Sequence, residues 1–176
     1  METLIEEDTM VASEPEMDNL TTPTEDVDRI VRNHVLISVG IGLLPVPLID
    51  LFGVAAVQLN MMRRLSRAYG TLFSQSIGKS VIASLVGGSL ASSVSITLLK
   101  AVPILGSAAA MLTSSVTAGA STFALGKVFI QHFASGGTFL TFDPEKVRAY
   151  YRKKFIEGEQ VAARMKARLA GAETER

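Results

Sequence analysis

Residues 80–126 carry a single charged side chain, Lys100, in 47 positions. A solvated helix keeps a wet face opposite its dry one, and one charge cannot supply a wet face over that length. The segment must therefore be buried, whether in the protein's own core, in a partner or in lipid. Its apolar residues are interleaved with Gly, Ala, Ser and Thr instead of forming a Leu-rich block. Residues 80–99 make an uncharged run of 20 and residues 101–126 one of 26, while about 20 apolar residues cross a bilayer. Six serines in the first run lower its hydropathy. Length favours lipid and composition favours protein; the balance of the two points to the membrane.

No window alternates polar and apolar residues with a period of two, so the expected class is all-α. Breaks fall at Pro45 and Pro47, at Gly70, at Pro103 and Gly106, and at Gly136-Gly137, because proline removes a donor and clashes with the preceding turn. The reading is two Pro/Gly-tipped helical hairpins followed by an amphipathic basic helix. Helices are expected over 25–44, 47–69, 76–100 and 106–133, and from 143 onward with Pro144 at the first position. Residues 1–24 are read as a disordered acidic tail, 25–158 as a helical membrane-associated domain, and 159–176 as the frayed end of the last helix.

Net charge is zero, yet the charges are segregated. Ten acids and no base lie in residues 1–28, which leaves seventeen bases against seven acids in the rest. Such a tail solubilises, covers the basic half or docks a partner. It has no basic n-region, so it is not a secretory signal. If both hairpins point the same way, Arg29, Arg32, Arg63, Arg64, Arg67, Lys79, Lys127 and the last helix's bases share one side, opposite proline tips that carry only Asp50 and Lys100. That is the positive-inside pattern, with both termini cytoplasmic. The first hairpin's apolar stretch, residues 33–44, is too short to cross at ~1.5 Å per residue. It is expected to be re-entrant, interfacial or packed on the second hairpin.

Small residues recur at steps of four: Gly106, Ala110, Ser114, Ala118, Thr122 and Gly126 in the fourth helix, and Ala83, Gly87, Ala91 and Ser95 in the third. Residues four apart share a helix face, and a face of small residues lets two backbones approach closely, as membrane helices do. Buried hydroxyls on such a face can bond back to their own helix carbonyls. These residues are read as the contact between the third and fourth helices.

Little suggests catalysis. There is no cysteine and only His34 and His132, so neither a disulfide nor a zinc or iron site is expected. No cofactor is implied. Few aromatics and no Trp leave no stacking platform for nucleic acid. Gly78-Lys79-Ser80 mimics the end of a phosphate-binding loop, but Phe73 stands where that loop needs glycine. Asp50, the one acid between Asp28 and Asp143, follows Pro45 and Pro47 in a helix's first turn, where a carboxylate is favoured; an intramembrane acid in a pore is the alternative. Arg63, Arg64, Arg67, Arg152, Lys153 and Lys154 are read as contacts to anionic headgroups or to a partner.

The series Pro45-Val-Pro-Leu-Ile-Asp50, Gln58-Leu-Asn-Met-Met-Arg-Arg-Leu-Ser-Arg-Ala-Tyr69-Gly70, Lys79 through Gly87-Gly88, Lys100-Ala-Val-Pro103-Ile-Leu-Gly106 and Thr122-Phe-Ala-Leu-Gly126-Lys127 resembles the YcjF-like, GTPase-associated helical domain family of unknown function. The resemblance covers about residues 27–158. It implies a helical, membrane-associated bacterial domain that works beside a GTP-binding protein. An acidic tail stands here where relatives carry a GTPase domain, so such a partner is expected in trans. The family brings no catalytic residues. The expectation is a non-enzymatic helical scaffold at the bacterial inner membrane, with anionic lipids, a GTPase and a second copy of the chain as candidate partners. The alternatives are a soluble oligomeric helical module and a small pore.

Overall fold

Proline opens three of the helices and glycine closes two. In the computed structural model residues 23–43, 47–87 and 108–174 are described, with side chains over 26–43, 52–87 and 115–171. The elements are α1 (Pro23–Ile41), α2 (Pro47–Ala68), α3 (Gln75–Ile82) continued by a π turn (Ala83–Gly87), α4 (Ala108–Ala134), a 3-10 turn (Phe139–Thr141) and α5 (Pro144–Thr174). The fold is all-helical, as expected. Gly70 (φ 64°) and Gly136 (φ 78°) adopt the left-handed conformation and end α2 and α4 in the same way. Gly70 N–H donates to Arg67 O at 3.1 Å and Thr71 N–H to Ser66 O at 2.8 Å; Gly136 and Gly137 donate to Phe133 O and His132 O, both at 2.9 Å. This is the Schellman closure, which satisfies carbonyls that a helix end otherwise leaves unpaired.

α4 is the axis of the bundle. α1, α2 and α5 pack directly on it; α3 packs on α2, and its π turn reaches α5. α1 faces α4 with Val27, Val31, Val35 and Val39, a stripe at steps of four that is at most 2% exposed. Each such valine contributes on the order of 1.5–3 kcal/mol of burial. Met61, Met62 and Leu65 from α2, Leu125, Val128 and Phe129 from α4, and Tyr151 from α5 complete the core. The low charge of α4 thus has a direct cause over its described part: the protein's own helices surround it.

Two findings bear on the expected second hairpin. Over its described part the small face of α4, with Ala118, Thr122 and Gly126, is met by α1 and α2. A methyl placed on Gly126 would meet Val31 at 2.6 Å and Met61 at 3.2 Å, and on the adjoining side one on Gly119 would meet Val39 at 2.6 Å and Ala162 at 2.7 Å. α3 lies instead against α2, where Gly78 sits against Leu59 and Met62. Secondly, among the described residues no helix is long and apolar enough to cross a membrane. Glycine, serine and threonine make α4 close-packing but only mildly hydrophobic. Residues 88–107, the middle of the expected spanning hairpin, lie outside the described residues.

α5 continues as helix to Thr174. Past residue 158, where fraying was expected, Ala162 is fully buried and Val161, Met165 and Leu169 pack on the core.

Candidate interaction surface

A buried polar seam sets the register of α1, α2 and α4. Ser121 Oγ and Thr122 Oγ1 each donate to Ala118 O, at 3.0 and 2.9 Å. With those protons committed, both oxygens serve as acceptors. Gln58 Nε2 donates to Ser121 Oγ at 3.0 Å and to Thr122 Oγ1 at 3.3 Å. The Ser38 hydroxyl then donates to Thr122 Oγ1, 2.9 Å away. All four side chains are at most 3% exposed. The back-bonding of hydroxyls was legible in the sequence; the convergence of Ser38 and Gln58 on them was not, because a single Ser or Gln in a helix reads as surface.

The outer face of the α1–α2 hairpin changes character along its length. On α2 the exposed residues run Phe52, Ala56, Asn60, then Arg63, Arg64 and Arg67. On α1 they run Arg29, Arg32 and Asn33, then Leu36 and Ile37. Phe52 is 69% exposed and Ile37 50%. The two helices are antiparallel neighbours, so the arginines gather at one end and the apolar residues at the other. Arg29 is tied to Asp26 at 2.6 Å, and the Arg63 guanidinium lies 5.9 Å over the Phe73 ring. Arg64 and Arg67 point into solvent.

Beyond the arginines, the α2–α3 and α4–α5 loops are locked together by aromatic rings. Phe73 meets Phe139 edge-on at 5.4 Å, and Phe129 stacks on Phe142 at 4.8 Å. Each loop presents one leucine outward: Leu72 is 92% exposed and Leu140 87%. His132 anchors the second loop by donating from Nε2 to Thr138 O at 2.9 Å. On α1, His34 is buried with Nδ1–H donating to Ile30 O at 2.7 Å. Burial, with a smaller contribution from Arg64, pushes its pKa below the ordinary value against the effect of that bond. Both histidines are structural.

The cations of α5 form a separate group. Arg152 and Lys153 are exposed, whereas Lys154 is bonded to Glu157 at 2.7 Å and lies over the Tyr150 ring. The Glu157 hydrogen bond raises the Lys154 pKa, and Lys154 in turn lowers that of Glu157. α4 stands between α2 and α5, so the structure does not merge the two basic groups. Where α5 crosses α1, Asp28, Arg32, Lys127, Phe123, Val161 and Met165 line a shallow cavity of about 190 Å³. Lys127 closes on Asp28 there at 2.7 Å. Among the described residues no cluster of His, Cys, Asp or Glu could hold a metal ion.

Of the expected packing residues, Ala118, Thr122 and Gly126 are buried on α4, while Ala83 and Gly87 are exposed on the π turn. Ala91, Ser95 and Gly106, and the tip residues Pro45 and Pro103, lie outside the described residues. Pro47 and Asp50 occupy the first turn of α2 and Ala110 and Ser114 the first turns of α4, with their side chains outside the description.

A family model, that of a domain of unknown function termed DUF697, matches residues 18–157. The chain belongs to this family. Magnetosome membrane protein 22 of Magnetospirillum gryphiswaldense is 39% identical over 149 residues, spanning 82% of this chain and 76% of that protein. No solved structure matches. The DUF697 match spans α1 to the middle of α5, and thus the whole α1–α2 hairpin with its graded surface.

Proposed function

We propose that this DUF697 protein is a non-enzymatic, membrane-associated helical scaffold that holds a GTP-binding partner at an anionic bilayer surface. The observation that carries the reading is the α1–α2 hairpin: exposed arginines at one end, exposed apolar residues at the other, and Asp50 the one acid from residue 29 to residue 68. The relative's printed name, a membrane protein, supports the location, and the likeness to YcjF-like domains supports the partner. The bacterial inner membrane, with both termini in the cytoplasm, is the setting that the charge segregation favours. On the arginine side, Leu72 and Leu140 are the apolar residues that a protein partner would cover. Carbonate extraction of cells expressing the full chain, with crosslinking before lysis, tests both halves. Recovery in the membrane pellet together with a crosslinked GTP-binding protein is expected. A wholly soluble chain without detergent removes the membrane reading.

A second reading, a soluble helical module that oligomerises, draws on a different observation. Residues 115–126 of the uncharged run are already covered by α1, α2 and α5 and need no lipid. Sedimentation of detergent-free protein as a discrete oligomer would favour this reading.

A further inference from the structure

The outer face of the α1–α2 hairpin has a depth as well as a direction. Phe52 and Arg63 are eleven residues apart on one straight helix, about 16 Å at ~1.5 Å per residue. That is close to half of a ~30 Å hydrocarbon core, the thickness of one leaflet. Ile37 and Leu36 on α1 fall between those levels, since Arg64 lies near His34 on the neighbouring helix. Between the apolar residues and the arginines the exposed positions are Ala56, Asn60 and Asn33, with no charge. An exposed aromatic ring below a band of arginines suits a helix end that enters lipid, because long cationic side chains extend to the headgroups while their stems stay apolar.

We infer that the α1–α2 hairpin enters a single leaflet tip first, with Phe52 deepest, Ile37 and Leu36 shallower, and Arg63, Arg64 and Arg67 at the level of anionic headgroups. The inference rests on the membrane reading above and adds to it the inserted element, its depth and its lipid chemistry. Among the described residues nothing covers Phe52, Leu36 or Ile37, which stay exposed. α5 crosses α1 where Val161 and Met165 meet Asp28 and Arg32. Asp50 stands in the first turn of α2, where unpaired backbone N–H groups and the helix dipole favour a carboxylate. Leu72 and Leu140 lie at the far end and stay in water or against a protein.

Because the chain has no cysteine, single-cysteine variants of the full-length protein label cleanly. Ile37→Cys, Phe52→Cys and Leu140→Cys would each carry a polarity-sensitive fluorophore and be mixed with phosphatidylcholine vesicles with or without phosphatidylglycerol. The labels at 37 and 52 should shift to the blue on phosphatidylglycerol vesicles and be quenched by nitroxide-labelled acyl chains, 52 by the deeper nitroxide. The label at 140 should remain accessible to aqueous iodide. Arg63→Gln, Arg64→Gln and Arg67→Gln, all exposed and thus without effect on folding by circular dichroism, should weaken flotation with phosphatidylglycerol vesicles about fivefold each, the factor for roughly 1 kcal/mol per base. If vesicles float the protein while labels 37 and 52 stay aqueous, the hairpin inference is overturned and membrane association stands. If nothing floats, both are overturned. A blue shift at 52 that grows with protein concentration and needs no lipid assigns the face to a second copy and overturns the inference, as does binding indifferent to the three arginines.

Discussion

Gly158 shows how tightly α4 and α5 meet. A methyl there would lie 2.9 Å from Ala120 O and 3.0 Å from Ala120 Cα. Alanine is the better helix former by about 1 kcal/mol, but these contacts are backbone, which cannot move aside as a side chain can. Overpacking of this kind costs ~1–3 kcal/mol, so Gly158→Ala should lower stability, seen as a fall in the urea midpoint. Gly126→Ala should cost less, because Val31 and Met61 meet it with side chains. At the polar seam, Gln58→Leu keeps most of the volume and removes both donors to Ser121 and Thr122. Their oxygens then lose a partner in a dry place, at ~1–3 kcal/mol, to be read by the same titration. His34 gives a pH dependence. Its folded pKa is depressed, so the unfolded chain binds the proton more readily. Its contribution is therefore fully present above the unfolded value of about 6.5 and is lost as pH falls toward the folded value. Stability measured at pH 7.5 and 5.5 should drop in the parent, and His34→Leu should flatten that step.

Among the elements, α5 departs most from what its composition suggests. Its second half reads as a charged helix end, with Arg164, Lys166 and Arg168, yet it supplies Ala162 to the core and the walls of a groove against α1. A chain ending at residue 159 keeps the tyrosines of α5 but loses Val161, Ala162, Met165 and Leu169. It should be measurably less stable to heat, whereas a chain ending at residue 171 should melt like the parent. Helix ends were legible because proline and glycine act locally: Pro47 and Pro144 open helices, and Gly70 and Gly136 close them, each by its own backbone. Helix partners were not. The steps of four in α4 told that some backbone comes close, but any small or β-branched stripe is a suitable mate. The valines of α1 and the Gly158–Ala162 turn of α5 resemble ordinary helix residues until the fold brings them together.

Across the whole molecule, the uncharged run is explained by the fold in one part. From residue 115 to residue 126 it is dry because α4 is encircled by α1, α2 and α5, so that portion needs no bilayer. The graded surface is carried instead by the α1–α2 hairpin, whose apolar stretch of 12 residues is too short to span. Arg63, Arg64 and Arg67 were legible as exposed cations from their place in the last turns of α2. That α5's cations would sit apart from them was not, since it depends on α4 lying between.

The central position of α4 also sets an order for biosynthesis. Its largest interface is with α5, which is made after it. At roughly 5–20 residues per second, a ribosome needs on the order of a few seconds to complete α5 after α4 has been assembled. During that interval α1 and α2 can already pair, but the side of α4 that bears Ala120 and Phe123, where Gly158 docks, has no cover of its own. The nascent protein thus passes through a brief, sticky stage between the synthesis of α4 and that of α5, and a holding factor or a nearby lipid surface would find its opening then.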